Sequence, residues 1–151
     1  MKKSLLILSL LFVSSIAKSD GLSPILGVHY DNSLGASVEL GGLYWINRVE
    51  TKPIGNEENL EPKFRHLNFA YLEGELGDKG ESITAGVGRH YAMGSMRVGV
   101  SKMNLESDRL SGIEFVFAPL TMSAKFGIYQ QESDSSIVYM AGFGFAMVSG
   151  W

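Results

Sequence analysis

From 137 to 151 the chain reads IVYMAGFGFAMVSGW, and alternate positions carry two different kinds of side chain. One set is Tyr139, Ala141, Phe143, Phe145, Met147, Ser149 and Trp151; the other is Met140, Gly142, Gly144, Ala146, Val148 and Gly150. Successive side chains of an extended strand point to opposite faces, so the segment reads as a strand with one bulky apolar face and one small face. Whatever the chain folds into must cover that bulky face along its whole length.

The same period of two recurs through the chain, and convincing helical periodicity does not. Eight segments carry it: 24–31, 34–46, 64–76, 81–91, 94–103, 112–118, 121–130 and 137–151. Segment 24–31 offers Leu26, Val28 and Tyr30 against Gly27, His29 and Asp31; segment 34–46 offers Ala36, Val38, Leu40, Tyr44 and Ile46 against Ser37, Glu39 and Gly41. The 18 glycines, many inside these segments, suit a narrow closed barrel whose interior must be filled by small groups. An all-β chain of eight antiparallel strands in up-and-down order follows.

Register tests that reading, because a one-residue slip exchanges the faces of a strand. Around Gly77 to Gly80, a three-residue loop with a glycine bulge would pair Leu67 with Arg89, Phe69 with Val87 and Tyr71 with Ala85 on the apolar face, and His66 with His90 opposite. Around Ala92-Met93, Val87 meets Val98 and Gly88 meets Arg97. Around Pro119-Leu120, Phe117 meets Met122 and Glu114 meets Lys125. Around Ser133-Asp134, Ile128 meets Tyr139 and Lys125 meets Gly142. Each hairpin keeps an apolar face and a small, polar face. On this scheme Glu73 and Glu75 fall on the apolar side; either a bulge near Leu72 restores the pattern or, the favoured reading, the end of that strand projects into water, with Glu75 facing Glu81.

The first residues, MKKSLLILSLLFVSSIAKSD, read as a secretory signal peptide over 1–17: two lysines, a short apolar run, then small residues that permit cleavage after Ala17 or Ser19. Residues 18–151 then form one domain, and losing Lys2 and Lys3 moves the formal charge from −3 to about −5, which argues against a nucleic-acid partner. The sequence has no cysteine, which excludes disulfides, thiolate metal sites and a lipoprotein anchor. No later apolar stretch has the length of a membrane-spanning helix, so a spanning chain must be a closed barrel. A polar connection over 47–63 is the one long loop.

The face opposite the bulky one decides which side is inside. Gly86, Gly88, Gly99, Gly142, Gly144, Ala146 and Gly150 make a poor solvated surface but a good lining around a few larger polar groups. Turned inward, Glu39, Arg97, Glu114 and Lys125 form an interior charge cluster with Ser37, Thr84, Ser101 and Ser123, and opposite charges satisfy each other there. Turned outward, Leu, Val, Ile, Phe and Met form an apolar band edged by Tyr44, Tyr71, Tyr91, Tyr139 and Trp151. With Phe143-x-Phe145-x-Met147-x-x-x-Trp151 at its end, the chain resembles the small eight-stranded bacterial outer-membrane β-barrels, the class of OmpA-type transmembrane domains. That resemblance implies a monomeric transmembrane barrel in the outer membrane, Phe143, Phe145, Met147 and Trp151 as the assembly signal, and outer-membrane lipids and the barrel-assembly machinery as partners.

Other constellations are weaker. Arg65, His66, Arg89 and His90 group at the rim that carries the termini, where they would snorkel to headgroups or hold a phosphate or carboxylate. A metal there lacks a third ligand. Ser95 opposite His90 is the one Ser–His pair that register supplies, and without an orienting third group it makes a poor lipid hydrolase or acyltransferase. No catalytic residue, cofactor or metal site is assigned. The expected function is a structural or interaction role in the bacterial envelope without a wide pore; the alternative is a soluble periplasmic barrel with a small apolar ligand inside the bulky face.

Overall fold

The computed structural model describes residues 21–47, 67–91 and 94–148. Among them are eight strands: β1 (Leu22–Asp31), β2 (Gly35–Asn47), β3 (Leu67–Gly77), β4 (Gly80–Tyr91), β5 (Gly94–Leu105), β6 (Arg109–Pro119), β7 (Met122–Gln131) and β8 (Ile137–Val148). Each pairs antiparallel with its sequence neighbours, and β8 returns to β1 to close the barrel. The 1–17 leader, most of the 47–63 connection, Arg65, His66, Ser149 and Trp151 lie outside the described residues.

Short connections set the register. Between β1 and β2, Asp31 Oδ1 accepts the backbone N–H groups of Ser33 (2.7 Å) and Leu34 (2.6 Å), and Gly35 takes the left-handed backbone (φ 74°) that the reversal needs. Leu34 is thereby folded into the barrel mouth, fully buried, and its carbonyl accepts from Lys79 N at 3.1 Å. The β4–β5 and β7–β8 pairings agree with expectation: Val87 faces Val98, Gly88 faces Arg97, Ile128 faces Tyr139 and Lys125 faces Gly142.

Two hairpins differ. Between β3 and β4 the loop is Asp78-Lys79 alone, and the ladder pairs Leu67 with His90, Phe69 with Gly88, Tyr71 with Gly86 and Glu75 with Ser82. This is one residue away from the expected register, so β3 is turned over. Phe69, Tyr71, Glu73 and Glu75 all point inward, and Leu72 faces out. Tyr71 is therefore not an outward rim aromatic, Glu75 does not face Glu81, and neither carboxylate projects into water. The physical reason is the parity of the strand: one face must take both carboxylates and both aromatics, and inside the barrel the carboxylates meet the buried cations Arg97 and Lys125. Between β6 and β7 the reversal is Leu120-Thr121, with Leu120 in left-handed backbone (φ 55°), and Phe117 meets Ala124 rather than Met122. That shift is two residues, so the faces survive.

The interior is stratified. At the rim carrying the β1–β2 and β3–β4 turns, Leu34, Met103, Leu110, Tyr129 and Met140 pack into an apolar layer. Toward the opposite rim, Ile25, Leu43, Phe69 and Tyr71 form a second layer, with Trp45 against Phe69 at 5.4 Å between ring centroids. A polar layer lies between them.

Candidate functional site

The polar layer is built by side chains from six strands: His29 (β1), Glu39 (β2), Glu73 and Glu75 (β3), Arg97 (β5), Glu114 (β6) and Lys125 (β7), all buried. A barrel this narrow accepts them because every one of these side chains except Glu75, which lies between Glu39 and Ser82, stands beside a residue that has none. His29 is the register partner of Gly144, Glu39 of Gly27, Glu73 of Gly41, Arg97 of Gly88, Glu114 of Gly99 and Lys125 of Gly142. A Cβ on Gly27 would come within 2.7 Å of Glu39 Oε2, and one on Gly41 within 2.7 Å of Glu73 Cβ. The glycines that break strand propensity thus supply volume for the charges.

Two ion-pair knots organise the layer. Arg97 Nη1 donates to Glu39 Oε1 at 2.8 Å and also to Glu73 Oε2, while its guanidinium stands 5.5 Å from the centre of the Tyr71 ring. Lys125 Nζ is 2.8 Å from Glu75 Oε1 and 3.7 Å from Glu114 Oε1. Tyr129 OH donates to Glu114 Oε2 at 3.0 Å, and Ser37 Oγ to Glu75 Oε1 at 3.3 Å. His29 joins the knots: Nδ1 is 3.0 Å from Glu75 Oε1 and 3.2 Å from Glu39 Oε2, and Nε2 is 2.7 Å from Ser123 Oγ. Thr84 Oγ1 donates to Ser101 Oγ at 2.9 Å nearby. Charges that would be ruinous singly are each met by an opposite charge at contact distance.

Glu39, Arg97, Glu114 and Lys125, the charges expected inside, are all there, but not as one cluster: Arg97 serves Glu39, and Lys125 serves Glu114 only from the far side of its contact with Glu75. Glu114 does not sit directly opposite Lys125; the register gives that place to Val116, and Glu114 faces Gly127. Glu73 and Glu75, expected on the outer side, lie inside with the rest of that face of β3. Parity along 69–75, with charge weighted above ring size, is the sequence signal that would have found them. His29 lies on the expected inward face, and its contacts with Glu39, Glu75 and Ser123 come from strands distant in sequence.

At the other rim, the basic group does not hold together among the described residues. Arg89 points outward, 5.8 Å from the Tyr91 ring centre, whereas His90 points inward with its ring 6.4 Å from that of Trp45. The expected His66–His90 pairing falls with the β3 register, since Leu67 takes the place opposite His90. Ser95 does face His90, and Ser95 is buried. Phe143, Phe145 and Met147 of the closing strand are all exposed on the outer wall.

No family model matches the chain, and no curated protein matches it. Among solved structures, the S-type phycobiliprotein lyase CPES from Guillardia theta is similar at 11% identity over 91% of this chain and 92% of that one, with a TM-score of 0.30. A superposition that loose carries no weight for fold or ligand.

Proposed function

We propose that the chain is a small outer-membrane β-barrel with a structural or interaction role in the bacterial envelope and no wide pore. One observation carries the reading: the outer wall is apolar all the way round, while the charges are inside. Exposed large apolar side chains include Val38, Leu72, Val100, Phe115, Phe126 and Phe143, from six different strands. Among the described strand residues, the outward charges are Glu81, Arg89, Lys102 and Arg109, each within a few residues of a strand end. A water-soluble surface rarely leaves so large an apolar area uncovered, whereas a bilayer covers a band of this kind. Strands of 10 to 13 residues suit tilted crossing of a hydrocarbon layer. Tyr30 and Tyr139 near one rim, with Tyr44 and Tyr91 near the other, supply interfacial aromatics.

The absence of a pore is supported by the two apolar layers that sandwich the ion pairs, since a conducting path would have to cross both. Lipids of the outer membrane and the barrel-assembly machinery are the partners this reading calls for, and the barrel closes without a second copy.

Fractionation together with gel migration tests it. The expected result is recovery in the outer-membrane fraction, with faster migration of unheated than of boiled protein in detergent. Recovery as a soluble periplasmic monomer would overturn it in favour of a soluble ligand-binding barrel. A lipid-modifying activity lost in Ser95→Ala would instead make it an enzyme.

A further inference from the structure

Three buried donor atoms of the polar layer converge on one point. His29 Nδ1, Glu39 Oε2 and Glu75 Oε1 lie within 4.8 Å of one another, with the imidazole nitrogen 3.2 Å and 3.0 Å from the two oxygens. An Nδ1 position carries at most one hydrogen, so it cannot serve both carboxylates. Glu39 is fully buried, and its Oε2 has no hydrogen-bond donor. Charge points the same way. Glu39, Glu73, Glu75 and Glu114 face only Arg97 and Lys125 as permanent cations, so with all four carboxylates ionised two negative charges are in excess in the network.

We propose that His29, Glu39 and Glu75 form a binding site for a divalent transition-metal ion, with Zn2+ the best fit to one imidazole and two carboxylates. The imidazole nitrogen stands from each oxygen at close to the roughly 3.3 Å that separates ligands lying about 2.0 Å from a tetrahedral zinc, and the two oxygens lie within 4.8 Å of each other. Ser123 completes the logic: if its hydroxyl accepts from Nε2–H across their 2.7 Å contact, the imidazole is locked in the tautomer whose lone pair is on Nδ1, toward the carboxylates. A divalent ion cancels the excess charge. Lys125 now contacts Glu75 Oε1, and it has a second partner to move to, because Glu114 Oε1 is 3.7 Å away and also lacks a donor. A shallow cleft beside Gly77 and Asp78 has His29 and Ser37 among its lining residues. The site does not depend on the membrane reading.

The test uses the purified full chain, in detergent or buffer as its fractionation dictates, stripped with a chelator and titrated with Zn2+. The expected result is one ion per chain, a raised thermal midpoint that the chelator reverses, and a shift of the His29 ring resonances. Glu75→Gln and His29→Gln should weaken binding about 100-fold or more. Glu73→Gln, which removes a buried carboxylate outside the triad, should retain it, as should His66→Gln with His90→Gln, which removes the other two of the chain's three histidines. No Zn2+ uptake by the wild type, equal loss in Glu73→Gln, or binding that leaves the His29 resonances in place would overturn the proposal. The last readout stands even if a triad variant fails to fold.

Discussion

Phe69 and Gly88 face each other across β3 and β4, and the Phe69 ring occupies the space that a side chain on Gly88 would need. Tyr71 stands in the same relation to Gly86 one step along, where an added Cβ would lie 2.9 Å from its ring. The inverted β3 is therefore locked by its neighbour: the aromatics are inside because β4 has no side chains there. Gly88→Val should destabilise the barrel by about 1–3 kcal/mol, the usual range for overpacking a filled interior. Val is otherwise the better strand former, so a stabilised variant in urea unfolding would show that the Phe69–Gly88 packing does not govern the register.

Arg97 is shared by Glu39 and Glu73, so its removal strands two buried carboxylates at once. Arg97→Leu should cost about 3–5 kcal/mol, as when one partner of a buried pair is deleted. The double variant Arg97→Leu with Glu73→Gln should recover part of that loss, since it leaves one orphaned carboxylate instead of two. Denaturant unfolding of the four members of the cycle measures the coupling, and strict additivity would mean that Glu73 and Arg97 act independently.

Much of this arrangement could be read from residue order. Wherever a strand keeps its large apolar residues and its charges on different faces, as around Phe126, Ile128 and Lys125, parity gives the correct wall, and it gives the correct partner across β7–β8 though not across β6–β7. It failed on β3, where Phe69, Tyr71, Glu73 and Glu75 share one parity and the two criteria conflict. Ring size favours one choice of face; pairing of the carboxylates with the buried Arg97 and Lys125 decides the other. The apolar layers at both ends of the interior were illegible for a related reason. Leu34 looks like a wall residue until the loop turns it inward, and a side chain's depth along a barrel axis depends on the stagger of all eight strands at once. The triad around His29 depends on the β3 register, since Glu75 joins it only once β3 is turned over.

At the rim bearing the hairpin turns, the β5–β6 and β7–β8 loops are tied by Ser133 Oγ donating to Asp108 Oδ2, while Asp108 Oδ1 accepts from Arg109 N at 2.7 Å. The Ser133 hydroxyl first, and the Arg109 amide second, hold the Asp108 carboxyl below its ordinary value of 3.8. A carboxylate lowered by folding contributes its stabilisation in full above the ordinary value and loses it as pH falls through the lowered one. The loop contact should therefore persist at pH 5 and release only below about 3.8. Asp108→Asn should remove that acid step. Following the Ser133 amide resonance against pH checks both; release already near neutral pH would refute the assignment.

Val100 sits on the outer wall at the middle of the apolar band, 67% exposed, paired with Ala85 on one side and Ile113 on the other. It touches neither the ion pairs nor the end layers, so its substitution tests what lies outside the barrel and nothing within. If lipid covers this wall, Val100→Arg places a charge near the hydrocarbon midplane and should cost about 2–4 kcal/mol, falling toward zero for the same change close to a rim, as at Lys102 where a charge already stands. If water covers it, an exposed Val→Arg change away from any packed feature should stay within about 0.5 kcal/mol. Folding titrations into lipid vesicles and the yield of folded protein in cells separate the two outcomes. A neutral Val100→Arg would argue that the apolar wall never meets a bilayer, whatever its composition suggests.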